Sequence, residues 1–166
     1  MLSACSNVSV DDYVDNKPVL HLEQFFNGPL SAQGVLKNRA GKVTRYFTAQ
    51  LNGSWKDGVG TLDETFIFDD GEVQRRTWTL TPATTGNKKL YRATAGDVIG
   101  TGDVQINGNA MNLAYTLEIN FKGSPMHIQV DDWMWLVDDK TIINESVLRK
   151  WGFKVGSIQL AITKQQ

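Results

Sequence analysis

The chain has 166 residues, of which 41% are hydrophobic, and its 17 basic and 18 acidic side chains give a net charge of −1. These values fit one globular domain, exclude wholesale disorder, and lack the basic excess with which proteins bind nucleic acid. Two histidines and one cysteine poorly supply a zinc site or a Cys–His enzyme, so we expect no metal and no other cofactor.

The first residues carry a targeting pattern. Leu2-Ser3-Ala4-Cys5 matches the lipobox of bacterial lipoproteins, in which small residues precede a cysteine that receives a diacylglyceryl group. We predict that lipidated Cys5 is the membrane partner of the protein, because two or more acyl chains hold a protein stably on a bilayer. Ser6 after the cysteine favours the periplasmic side of the outer membrane. The alternative is a chance cysteine, since the match covers four residues.

The next segment, residues 6–17, is polar and acidic and resembles a tether. The predicted organisation is therefore a lipobox and tether over residues 1–17 and a single domain over residues 18–166. Residues 20–26 form the one plausible helix, ended by Asn27-Gly28-Pro29, although an extended lead-in fits equally well.

The remaining sequence alternates short apolar segments with turn signals such as Asn52-Gly53, Asp70-Gly71 and Asn107-Gly108. The predicted strands are 30–38, 43–52, 59–68, 72–81, 89–95, 97–107, 110–121, 126–137, 141–150 and 157–164. Closing such a run of hairpins into a cylinder removes its two exposed edges. We therefore predict an all-β fold, an antiparallel closed or nearly closed barrel of eight to ten up-and-down strands, lipocalin- or calycin-like. A sandwich would need a long return connection.

The hairpin around Asp70-Gly71 predicts which side chains face the interior. A three-residue loop with Gly71 left-handed places Glu64 opposite Arg76 and Leu62 opposite Trp78. Glu64, Phe66 and Phe68 then share the inner face with Arg76 and Trp78. A two-residue loop would instead turn Arg75 and Thr77 inward.

An arginine inside a barrel has two main interpretations. One is an ion pair between Arg76 and Glu64 that fixes the strand register, because buried charge is costly without a partner. The other is a clamp for the carboxylate or phosphate of an acyl ligand, with Trp78, Phe66 and Phe68 as apolar walls. Full exposure of Arg76 is the remaining alternative.

A second polar cluster lies in Asp131-Asp132-Trp133-Met134-Trp135 and at Asn144. Adjacent strand residues point to opposite faces, so Asp131 and Asp132 do not converge on one catalytic site. Asp132 and Asn144 are therefore interpreted as structural polar anchors within the sheet.

Several strings in a fixed order resemble a known family. They are Glu64-x-Phe66-x-Phe68-x-Asp70-Gly71 with Arg76-x-Trp78, Asp97-Val98-x-Gly100, Gly108-Asn109-Ala110, Asp131-Asp132-Trp133 and Asn144. Together they resemble an uncharacterised family of bacterial predicted lipoproteins that contain a domain of unknown function. The resemblance implies an exported, lipid-anchored domain and no assigned catalytic residue.

The preferred function is a lipid-anchored periplasmic barrel that binds a fatty acyl or other apolar small molecule. One alternative is a filled barrel that acts as an envelope protein-interaction module. Another is a lipid-modifying enzyme with Glu64, Asp97 or Asp132 as acid or base, which needs a carboxyl group of raised pKa in a cleft.

Overall fold

The computed structural model describes residues 8–85 and 88–165, with backbone only for residues 84, 85, 88 and 89. Ten strands alternate with short turns and are preceded by one short α-helix, α1 (Leu22–Phe25). The strands are β1 (Gly28–Asn38), β2 (Val43–Lys56), β3 (Val59–Phe68), β4 (Val73–Thr85), β5 (Lys88–Thr94), β6 (Gly102–Asn107), β7 (Ala110–Phe121), β8 (Ser124–Leu136), β9 (Thr141–Lys150) and β10 (Phe153–Lys164).

Each strand pairs with the next in the sequence, and β1 also pairs with β10, so the sheet closes into an antiparallel barrel. This confirms the predicted fold class. Closure leaves neither edge free to pair with another chain. The barrel has an open end, formed by the turns after β1, β3, β7 and β9 and by residues 95–101. Its closed end is formed by the turns after β2, β6 and β8, together with α1.

The hairpin between β3 and β4 has the predicted register. Gly71 has a φ of +84°, and the Phe68 N–H donates to the Glu72 carbonyl over 3.0 Å. Glu64 therefore lies opposite Arg76, and both side chains line the lumen. The alternative two-residue loop, which would have turned Arg75 inward, is excluded.

A difference from the prediction lies between β5 and β6. The predicted strand 97–107 begins only at Gly102, and residues 95–101 form a loop with an isolated bridge between Val98 and Leu117. Because β5 and β6 are short, they do not extend along the open-end half of β4 and β7. The loop fills this gap in the wall, and its Ile99 N–H donates to the Thr116 carbonyl.

A hydrophobic plug, residues 20–26, fills the closed end. Leu20, Leu22, Phe25 and Phe26 are all at most 5% exposed and join the barrel core. The Trp55 indole N–H donates to the Phe26 carbonyl over 2.9 Å. The sequence predicts one plausible helix, over residues 20–26. In the structure the helix covers Leu22–Phe25.

Lys164 holds the plug from the last strand. Its ammonium group donates to the carbonyls of Gln24, Phe25 and Asn27 over 2.8, 3.1 and 2.7 Å. We expect Lys164→Met to lower the free energy of unfolding by about 2 kcal/mol, because charge-assisted hydrogen bonds are lost. Urea unfolding measures this change, with Lys42→Met, an exposed lysine, as control. Equal stability of the two variants would contradict the assigned role.

The segment predicted as a tether is partly structured. A 3-10 helix, Val10–Tyr13, buries Val10 and places the Tyr13 ring 6.0 Å from Trp133 and 6.4 Å from Trp135. Val10 and Tyr13 thus attach this segment to the outside of the barrel near its closed end. Cys5 lies outside the described residues, and the division at residue 17 stays a prediction.

Candidate functional site

The inner faces of the strands enclose a cavity of about 320 Å³. It extends from Leu22 and Phe26 at the closed end to Arg45 and Phe68 near the open end. Its walls are mainly aliphatic and aromatic, with side chains from strands all around the barrel. The volume lies at the lower end of the range of about 300–1,000 Å³ that is common for small-molecule sites. The interaction-module alternative requires a barrel that is filled solid, and this barrel is not.

Three of the predicted wall residues lie in this cavity. Phe66 and Phe68 line it near the open end, with ring centroids 5.7 and 5.6 Å from that of Phe47. Trp78 is 7% exposed and packs edge-on against Tyr115 at 5.2 Å. The Trp78–Tyr115 contact joins β4 to β7 across the gap that the short strands leave. Period-two alternation predicts these inner positions from the sequence.

The predicted ion pair between Glu64 and Arg76 is wrong. Arg76 donates through Nε to both carboxylate oxygens of Asp97 over 3.0 Å, and through Nη2 to Oδ2 over 2.6 Å. No hydrogen bond or ion pair joins Glu64 to Arg76 within residues 8–85 and 88–165. The loop that fills the wall gap brings Asp97 to the guanidinium. Glu64 instead accepts a hydrogen bond of 3.2 Å from the Trp78 indole.

The structure brings Asp132 and Asn144 together on the opposite wall of the lumen. Asn144 donates its side-chain amide to Asp132 and, over 2.8 Å, to the Trp133 carbonyl. Ser146 donates a further hydrogen bond of 2.7 Å to Asp132. All three side chains are buried and line the cavity. Asp131 points outward and accepts a hydrogen bond from Asn112 over 2.7 Å.

Two carboxyl groups in the cavity have raised pKa values. Burial raises the pKa of Glu64 to about 7, although the charge of Arg76 and the Trp78 hydrogen bond oppose this shift. Burial raises the pKa of Asp132 to about 6, against hydrogen bonds from Ser146 and Asn144. Each carboxylate also raises the pKa of Tyr115, after burial, which is the larger cause. All of these groups line the same cavity, and we define Glu64, Arg76, Tyr115 and Asp132 as its polar cluster.

Tyr115 and Arg45 are among the polar residues of the cavity that sequence reasoning missed. Tyr115 shares the inner parity of Leu113 and Leu117, and Arg45 shares that of Phe47, so alternation alone could have found both. The Arg45 guanidinium lies 3.8 Å from the Phe68 ring centroid and forms 2.8 Å ion pairs with Asp70 and Glu72. It therefore closes one side of the cavity mouth with its charge already paired.

The polar cluster is suited to hydrogen bonding and to proton transfer. Carboxyl groups whose pKa lies near neutral pH can donate or accept a proton there. Within the part of the chain that the structure describes, no three His, Cys, Asp or Glu side chains are placed to hold a metal ion. None of the described helices has the length and apolar character needed to cross a bilayer.

Comparison with known proteins supports the fold. A family model described as "Protein of unknown function (DUF3833)" matches residues 1–164. The fold resembles an S-type phycobiliprotein lyase from Guillardia theta, with a TM-score of 0.62, 10% identity, and coverage of 89% of this chain and 94% of that one. It also resembles a DUF3598 protein of unknown function from Nostoc punctiforme, with a TM-score of 0.56, 13% identity, and coverage of 90% and 51%. No curated protein sequence matches the chain.

Proposed function

The chain belongs to the DUF3833 family, and from its barrel we propose that it binds an apolar small molecule of the fatty acyl class. The observation that carries the proposal is the cavity of about 320 Å³, with mainly apolar walls and one polar cluster. An apolar chain buried in such a cavity gains roughly 0.8 kcal/mol for each methylene removed from water. The polar cluster would orient the other end of the molecule.

The charges in the cluster favour a neutral polar end on the ligand. Arg76 already pairs with Asp97, and the Glu64 and Asp132 carboxyl groups face the same space. A free carboxylate would meet these acidic groups, whereas an ester, an alcohol or a protonated acid can donate to or accept from them. We thus replace the predicted carboxylate clamp at Arg76 by hydrogen bonding to Glu64, Asp132 and Tyr115.

Lumen filling tests the proposal. Ala32 lines the cavity and is 2% exposed, whereas its neighbour Gln33 points outward on the same strand. We expect Ala32→Phe to lower the affinity for a fluorescent medium-chain acyl ester at least tenfold, while Gln33→Phe leaves it unchanged. Circular dichroism checks that both variants fold. Mass spectrometry of lipids that copurify with the wild-type protein identifies the natural ligand class.

Two results would overturn this function. One is a wild-type protein that neither copurifies with a lipid nor binds the fluorescent ester. The other is unchanged affinity in a folded Ala32→Phe variant, because a phenyl ring in a 320 Å³ cavity displaces much of any occupant. If Ala32→Phe fails to fold, Ala93→Phe provides a second variant, because Ala93 also lines the cavity.

A second candidate is acid–base chemistry on the bound molecule. The observation that favours it is the Glu64 pKa of about 7 inside a ligand-sized cavity. Asp97, the third carboxylate considered from the sequence, is held by Arg76 and is less suited to this role. A bound acyl ester that is recovered unchanged after long incubation would contradict catalysis and leave binding intact.

Membrane attachment through Cys5 and a location in the bacterial cell envelope remain part of the proposal. The support is the sequence Leu2-Ser3-Ala4-Cys5, followed by Ser6. Metabolic labelling with palmitate in a bacterial host tests it, with Cys5→Ser as the control. Labelling of wild type alone is the expected result, and equal labelling of the variant would contradict it.

A further inference from the structure

The open end of the barrel exposes large aromatic side chains at two neighbouring hairpin tips. Trp151 is 84% exposed and Phe153 76%, the two highest exposures among the hydrophobic side chains that the structure describes, and Phe121 is 52% exposed. Strands β8 and β9 pair, so the tip after β7 and the tip after β9 are adjacent. Leaving such rings in water gains nothing for the fold.

The backbone at both tips is also disfavoured. Lys122 and Trp151 occupy the first position of two-residue turns with φ values of +52° and +50°, and Gly123 and Gly152 follow them. Asn, Asp and Gly normally occupy that position, because bulkier side chains are strained there. The equivalent turn at the closed end has the usual Asp57, with a φ of +52°. Among the turns that the structure describes, the unusual residues are therefore confined to the open end.

Basic side chains surround the aromatic tips. The turns after β1, β7 and β9 are adjacent around the barrel. They cover residues 38–43, 121–124 and 149–155, and none of these residues is acidic. The Lys122 ammonium lies 5.4 Å from the Phe121 ring centroid, and that of Lys150 lies 4.7 Å from Trp151. We define these three turns as the basic rim; its basic residues are Arg39, Lys42, Lys122, Arg149, Lys150 and Lys154.

From this combination we infer that the basic rim docks on the surface of a bilayer containing anionic phospholipids. Tryptophan and phenylalanine insert at the level of the headgroups, and lysines beside them pair with lipid phosphates. The acidic turn with Asp69, Asp70 and Glu72 lies on another side of the mouth, so the barrel meets the surface tilted toward β7–β10. The mouth of the cavity then lies next to the lipid.

Vesicle sedimentation tests this inference with the full chain carrying Cys5→Ser, so that no acyl group contributes. The probe is vesicles of phosphatidylglycerol and phosphatidylcholine in equal parts at low salt. We expect the double variant Trp151→Ser with Phe153→Ser to lower partitioning at least tenfold. Replacing Lys122, Lys150 and Lys154 with Gln should lower it about fivefold for each lysine. Brominated lipids should quench Trp151 emission, measured as the difference from Trp151→Phe.

Matched controls distinguish the effect of the basic rim from the effect of changing charge or hydrophobicity elsewhere in the protein. Lys56→Gln with Lys140→Gln removes two exposed lysines at the closed end and should leave partitioning unchanged. Ala32→Phe fills the cavity and should also bind vesicles normally, so failure of ligand binding and failure of docking are distinguishable. Unchanged partitioning of the rim variants, or equally strong binding to phosphatidylcholine alone, would overturn the inference.

Discussion

Ionisation of Glu64 should cost the folded protein about 3 kcal/mol of stability as the pH rises from about 4.5 to 8, and Glu64→Gln should remove this part of the pH dependence. Burial raises the Glu64 pKa from 4.5 to about 7, so the folded state binds a proton that the unfolded state has already released. The stabilisation is complete below pH 4.5 and disappears as the pH rises through 7. Each pKa unit corresponds to about 1.4 kcal/mol.

Urea unfolding at a series of pH values measures this effect. Gln retains the oxygen that accepts from the Trp78 indole, so the variant isolates the charge of Glu64. Asp132 acts in the same direction, because its pKa is also raised. Asp70, Glu72 and Asp138 have lowered pKa values and therefore act at more acidic pH. Parallel pH profiles for wild type and Glu64→Gln would refute the burial of an ionisable Glu64.

Replacing Gly53 with Ala should cost about 3 kcal/mol of stability and loosen the closed end. A Cβ atom at this position would lie 1.9 Å from the Phe26 carbonyl oxygen and 2.6 Å from its carbon. Both atoms are backbone, so the clash is relieved only by moving the hydrophobic plug. Overpacking of this kind costs about 1–3 kcal/mol, and contact with backbone places it at the upper limit.

The matched control is Gly96→Ala. A Cβ atom at Gly96 would have no heavy atom within 4 Å, and Gly96 does not have a positive φ. Its replacement should therefore be neutral or slightly stabilising. Thermal unfolding of both variants compares them directly. A Gly53→Ala protein as stable as the control would mean that the plug does not approach β2 as closely as the structure has it.

Much of the barrel could be predicted because its information is local. Each hairpin has its turn residues, such as Asp70-Gly71, between segments that alternate in polarity, and alternation alone places Glu64, Phe66 and Trp78 inside. Register errors would turn every side chain to the other face, so a correct turn fixes the lumen composition. The relation between Asp132 and Asn144 follows from the same pairing of adjacent strands.

The partner of Arg76 could not be predicted because it depends on where a hairpin ends. The pattern over residues 97–107 favours strand throughout, yet β6 starts only at Gly102. Residues 95–101 form a loop instead, and this loop brings Asp97 to the guanidinium. The sequence offered Glu64, which lies directly opposite Arg76 across the ladder. Cross-strand position makes two side chains neighbours, but burial leaves Glu64 largely uncharged below neutral pH and weakens it as a partner.

The position of the 3-10 helix has a consequence for how the molecule could be oriented in a cell. Val10 and Tyr13 fix the incoming chain at the end of the barrel that the plug seals, whereas Trp151 lies at the other end. An upright barrel attached at its base by an acylated Cys5 would thus direct Trp151 away from its own membrane. To bring Trp151 to the membrane that holds Cys5, the barrel would have to lie on its side. An upright barrel would instead present Trp151 to the facing leaflet across the compartment, about one strand length from the anchored end, at roughly 3.3 Å per residue.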